Sequence, residues 1–172
     1  PAFFRRQRQM CIRDSYRDGM TKARKMLPFS ALDSPDPEDL WKFMEKYEGS
    51  TGGQVIAIPH NGNVSNGVMF SDKRVDGSDF DKTYTALRQR WEPLYEVTQV
   101  KGDAEAHPYL SPNDEYANFE TWDQGNLRME PKEKNMLQGE YARSALKNGL
   151  ALSQKFGVNP FKFGLVGGTD TH

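Results

Sequence analysis

The chain has 172 residues, 36% of them apolar, with 23 basic and 24 acidic side chains and a formal net charge of −1. That length makes one globular domain the default, and the balanced charge argues against a nucleic-acid groove or an anionic membrane as main partner, since both need clustered positive surface. No apolar stretch approaches the ~20 residues of a membrane span and no signal-peptide core is visible, while Cys11, the single cysteine, excludes an internal disulfide and leaves the redox compartment open.

The first fifteen residues read differently from the rest. Gln9 to Ser15 looks like the translation of a transposase sequencing adapter, of the kind left at the ends of assembled environmental reads. The plainer alternative is a basic, disordered terminus carrying Arg5, Arg6, Arg8 and Arg13. On either reading residues 1–15 are expected to be disordered and to stand outside the fold, with native sequence beginning near Tyr16.

Further along, Asp36 can cap a helix with Pro37 at its first position and Glu38 and Asp39 in its first turn, where acidic groups suit the helix dipole. Leu40, Phe43, Met44 and Tyr47 recur at helical spacing, and Gly49 can end the helix. Gln54 to Ile58, bounded by Gly-Gly and Pro59, reads as a buried strand. Ser78 with Asp81 approximates a capping box ahead of the stripe Phe80, Tyr84, Leu87 and Trp91, which is core. After Pro93, Leu94 to Val100 has strand composition. Lys101 to about Gln138 has no sustained period, and so long a connection is usually functional or disordered; its Tyr109, Tyr116, Phe119 and Trp122 argue for order. Glu140 to Phe156 is a further helix ended by Gly157, and Phe161 to Gly167 is a last strand. Helix, strand, helix, strand, long loop, helix, strand is the alternation of a parallel α/β architecture.

The polar residues fall into place on that scheme. His60 follows the first strand, Glu96 sits in the second with Lys101 and Asp103 just beyond it, and Asp170 and His172 follow the third. In parallel α/β folds, sites form at the carboxyl ends of strands. In extended backbone Asp170 and His172 point to the same side, so a carboxylate and an imidazole can converge on one metal ion or one substrate. His and Asp supply donors suited to zinc, iron or manganese. Plainer readings stand beside these. His60 could be a loop or capping residue, Thr169 to Thr171 could cap a following helix, Glu96 could point to solvent, and His107 could be an ordinary loop residue. The Gly-Gly pairs at Gly52 and Gly167 lack a phosphate-loop pattern.

Pro59-His60-Asn61-Gly62-Asn63, Trp91 to Gln99 with Lys101-Gly102-Asp103, Leu110 to Glu115, Asn118 to Asp123, and Asn159 to Gly164 running into Gly168 to His172 resemble the domain-of-unknown-function family 3604, over roughly Leu27 to His172. That family is similar to the PHP (polymerase and histidinol phosphatase) group of metal-dependent hydrolases. The resemblance implies a distorted β/α barrel, of which this chain would be an incomplete part, with a multinuclear centre of divalent metal. It implies metal-ligand roles for His60, Asp170 and His172. The group's early His-x-His ligand pair is absent and would lie upstream of Tyr16, so the chain reads as a fragment whose metal shell is incomplete.

The expected activity of the parent protein is hydrolysis of an ester, foremost a phosphoester, by metal-activated water. Glu96 or Asp103 would position substrate or water as the catalytic carboxylates. Asn61, Asn63, Asn66 and Lys101 are the candidate contacts to a small, phosphorylated or hydroxylated substrate, although Asn-Gly also simply favours turns. Two alternatives remain open: a module that retains a metal or sugar-like ligand without hydrolysis, with the Lys101 to Gln138 loop as lid or partner surface, and a metal-dependent amide hydrolase or lyase.

Overall fold

A computed structural model describes residues 12–30, 32–126 and 130–168. Strand β1 (Ile12–Tyr16) and a short helix α1 (Gly19–Ala23) precede helix α2 (Pro37–Thr51) and strand β2 (Val55–Pro59). Helix α3 (Lys82–Trp91), strands β3 (Leu94–Gln99) and β4 (Gly102–Asp103), helix α4 (Ala142–Phe156) and strand β5 (Gly164–Gly167) follow. Two 3-10 turns, Gly62–Val64 and Lys134–Gly139, interrupt the loops.

These elements start where their caps dictate. The Asp36 side chain accepts the Glu38 N–H at the head of α2, and the helix runs past Gly49 to Gly52, whose φ of +62° supplies the left-handed stop. Asp81 caps α3 by accepting the Tyr84 N–H at 2.8 Å. The box proposed on Ser78 is thereby shifted, because Asp81 is the residue with extended backbone directly before the first helical turn.

The sheets are smaller and more mixed than an all-parallel alternation. β1 pairs antiparallel with β2, in register from Ile12 opposite Pro59 to Tyr16 opposite Val55. β3 lies between β5, which is parallel to it, and β4, which is antiparallel. A parallel bridge between His60 and Glu96 joins the end of β2 to β3. The fold is mixed α/β, with no closed barrel among the described residues. The expectation of disorder through Ser15 fails at Ile12–Ser15, where backbone pairing to the edge of β2 supplies order that side-chain periodicity does not announce. Residues 1–11 lie outside the described residues.

The core sits where α2, α3 and α4 cover β2 and β3. Trp41, Met44, Tyr47, Val55, Ala57, Tyr84, Trp91, Tyr95, Ala145 and Phe161 are buried in one cluster. Phe70 stands edge-on to Tyr95 and Phe161, at ring distances of 4.9 and 5.6 Å. Within this core Arg88 pairs with Glu92 at 3.0 Å and donates to the Met69 carbonyl at 2.8 Å, while Trp41 Nε1 donates to Glu92 at 3.1 Å. Every partner of that ion pair is buried, so its geometry is fixed by packing rather than by solvent.

In the long connection, described over residues 101–126 and 130–138, smaller side chains rather than the large aromatics are buried. Tyr109, Tyr116, Phe119 and Trp122 are exposed, whereas Ala104, Ala106, Ala117 and Leu137 are buried. No helix among the described residues is long and apolar enough to cross a membrane.

Candidate functional site

Alternation along β2 buries Val55, Ala57 and Pro59 and carries the chain into His60, which is 4% exposed. His60 Nδ1 faces the Ile58 carbonyl at 3.3 Å. A ring that donates from Nδ1 to a carbonyl keeps its lone pair on Nε2, the arrangement in which imidazole serves as a metal ligand. Across the parallel bridge stands Glu96, 7% exposed. Glu96 in turn is level with Val166 of β5. A Cβ at Gly168 would come within 2.5 Å of Glu96 Oε1, so the bare glycine backbone gives that carboxylate its place. Asp170 and His172 lie outside the described residues. The structure thus brings His60 and Glu96 together, beside the residue from which Thr169 to His172 depart.

The loop after His60 is tightly fixed. Asn61 and Asn66 adopt left-handed backbone, with φ of 56° and 51°, which Asn tolerates better than other non-glycine residues. Gly62 donates its N–H to the Tyr95 hydroxyl at 3.1 Å, and a side chain there would meet that hydroxyl and the Glu140 carbonyl at 2.3 Å. Asn63, 1% exposed, donates from its amide to the carbonyl of Lys101 at 2.9 Å and faces that of Trp122 at 3.5 Å, so it fastens two loops together. The Asn66 side-chain oxygen is buried without a hydrogen-bond partner. Asp103 accepts the Glu105 N–H at 2.8 Å, and burial raises its carboxyl above the usual range against that hydrogen bond.

A second polar group escaped the sequence reading except for His107. Lys132, its side chain 5% exposed, pairs with Asp123 and with Glu140, each at 2.9 Å, and donates to the Asn63 carbonyl at 2.6 Å. His107 Nε2 meets Asp123 Oδ2 at 3.1 Å, and its Nδ1 accepts the Tyr109 N–H at 3.1 Å. Glu140 is fully buried and accepts the Gly67 N–H at 3.3 Å. Burial raises its carboxyl to about 7, with Lys132 opposing the rise. The Tyr141 hydroxyl is buried without a hydrogen-bond partner, and burial with the nearby carboxylates pushes its ionisation upward.

His107 and Tyr141 line a cavity of about 280 Å³ that also receives Arg143 and Lys147, while Asp123 and Lys132 line another of about 330 Å³. The His107–Asp123 contact therefore runs from one cavity to the other. Positions 107, 123, 132 and 140 share no period, so nothing local in the sequence links them. Among the described residues no group of three or more His, Cys, Asp or Glu is arranged to hold a metal ion.

The model of the family described as Protein of unknown function (DUF3604) matches residues 11–172. No curated protein and no solved structure matches the chain.

Proposed function

Because the chain belongs to the protein family of unknown function DUF3604, which the sequence motifs liken to metal-dependent hydrolases, we propose that it serves metal-dependent hydrolysis of a small ester, a phosphoester foremost. The observation that supports this is the bridged pair His60 and Glu96, an imidazole and a carboxylate both buried where the residue after β2 meets the middle of β3 in parallel. That donor pair fits zinc, manganese or iron, and Asp170 and His172 would complete the set from the segment that leaves Gly168.

A bound divalent metal would supply Lewis acidity and a hydroxide at neutral pH. The chain's own residues do the rest. His60, oriented by the Ile58 carbonyl, presents Nε2. Glu96, seated against Gly168, holds a carboxylate where it can ligate or take a proton from an attacking water. Asp103, already biased toward its neutral form by burial, suits proton transfer to a leaving group. Asn61, Asn66 and Lys101 offer contacts to the substrate's anionic end, and Asn63 holds the loop that presents them.

The test is metal content and phosphomonoesterase turnover, with manganese, zinc or iron supplied, in the wild-type chain, His60→Ala and Asp170→Ala. Loss of bound metal in both variants supports the site. Unchanged metal and turnover in both would sink it. The low exposure of His60 and Glu96 favours a second reading, a metal retained without hydrolysis; metal lost in both variants with no turnover in the wild type would select it.

A further inference from the structure

Three charged side chains meet in the buried group beside the His60 loop: one cation, Lys132, and two carboxylates, Asp123 and Glu140. With both carboxylates ionised the single cation is shared between two anions, of which Asp123 is 37% exposed and reached by solvent while Glu140 has no solvent exposure and the Lys132 side chain only 5%. Uptake of one proton by Glu140 makes the group neutral and leaves Lys132 to Asp123, and relieving the solvent-excluded carboxylate of its charge is favourable.

The same three residues hold the loop. Lys132 Nζ donates to the Asn63 carbonyl at 2.6 Å, Glu140 accepts the Gly67 N–H, and the adjoining backbone adds a Phe70 N–H to Gly139 carbonyl bond of 2.8 Å. At Gly67, with φ of +80°, a side chain would lie 2.9 Å from the Met136 carbonyl, so the loop and the 3-10 turn before Glu140 touch backbone to backbone.

We propose that Glu140, with Lys132 and Asp123, is a proton-operated latch that positions the loop carrying Asn61 to Phe70 immediately after His60: closed when Glu140 holds its proton, loosened when it gives it up. The remaining groups that face it do not compensate the charge. Tyr141 is buried and held in its neutral form, Asp103 adds a further negative charge near Tyr141, and His107 is committed to Asp123 and the Tyr109 N–H. The Gly67 loop donates a backbone N–H to Glu140. The raised carboxyl of Glu140 agrees with this, since it marks a closed state that binds a proton more tightly than solvent-exposed glutamate does. Linkage fixes the sign: opening exposes Glu140 and lowers its affinity for the proton, so rising pH favours the open loop.

The latch stands apart from the hydrolase reading, because its readout needs neither metal nor substrate. Amide hydrogen exchange at Gly67 and Phe70 in the wild-type chain, corrected for the intrinsic rate, is expected to show protection falling about tenfold between roughly pH 6 and 8, the change that linkage gives for a carboxyl moving from about 7 to its ordinary value on opening. Glu140→Gln keeps an acceptor for the Gly67 N–H and removes the charge, and its protection should be flat over that range. Should the variant fail to fold, the Glu140 carboxyl carbon followed by NMR in ¹³C-labelled wild-type protein decides alone: titration near neutrality supports the latch, titration in the ordinary glutamate range overturns it. Flat protection in the wild type, or the same tenfold fall in Glu140→Gln, overturns it as well.

Discussion

Tyr109 donates its N–H to His107 Nδ1 at 3.1 Å, and that bond places the ring proton on Nε2, where it meets Asp123 Oδ2 at 3.1 Å. Both nitrogens of His107 are thereby spent within the protein, whereas His60 turns its Nδ1 toward the Ile58 carbonyl. The two histidines have opposite tautomers and different duties.

His107→Ala should therefore act on stability. It takes the acceptor from the Tyr109 N–H and one partner from Asp123, both solvent-reachable, a loss of about 1 kcal/mol, the net worth of ordinary hydrogen bonds. Urea denaturation checks the cost. Metal content should stay at the wild-type value, and a loss of metal with full stability would mean that His107 belongs to the metal site after all.

Arg88 sits deeper. Truncation to alanine leaves Glu92 ionised in the core with only the Trp41 N–H beside it, and is expected to cost about 3–5 kcal/mol. Arg88→Lys keeps the charge but cannot reproduce the fork that reaches both Glu92 and the Met69 carbonyl, so it should fall between alanine and wild type in a thermal melt.

Gly62→Ala puts a methyl group onto the Tyr95 hydroxyl and the Glu140 carbonyl. Both belong to the packed core, so relief requires the His60 loop to shift, at about 1–3 kcal/mol. A melting temperature unchanged from wild type would show that the loop is not held against Tyr95 as described.

The pH dependence of global stability follows from Glu140. Its folded carboxyl is raised from 4.5 to about 7, so its contribution is fully present below the lower value and is lost as pH rises through the upper one. The loss is at most about 3.5 kcal/mol at ~1.4 kcal/mol per pKa unit. Urea midpoints measured from pH 5 to 8 should slope downward by less in Glu140→Gln than in wild type, where carboxylates other than Glu140 set the remaining slope.

Deleting Pro1 to Ser15 removes four of the five residues of β1 and leaves the edge of β2 unpaired. A loss above about 1 kcal/mol is expected. Unchanged stability would assign those residues no part in the fold.

The local signals that matched the structure are those that depend on neighbours in sequence. Asp36 before Pro37, the stripe Phe80, Tyr84 and Trp91, and the β-branched run ahead of Pro59 encode caps, a helix face and a buried strand, because each is satisfied within a few residues by hydrogen bonding or side-chain period. Strand order supplied more than period could: the sequence set His60 just after one strand and Glu96 within the next, and the parallel bridge between them is what brings the two opposite each other. Pairing and burial were decided only in three dimensions. β1 is ordered by hydrogen bonds to a partner some forty residues away, which leave no trace in its composition. The helix expected to stop at Gly49 continues to Thr51, since glycine is tolerated inside a helix and Gly52 supplies the left-handed stop. Lys132 and Glu140, eight positions apart, pair at 2.9 Å where the chain folds back over the His60 loop. Their function as a buried pair exists only because segments distant in sequence exclude water from the same few cubic ångströms, and no local pattern encodes that exclusion.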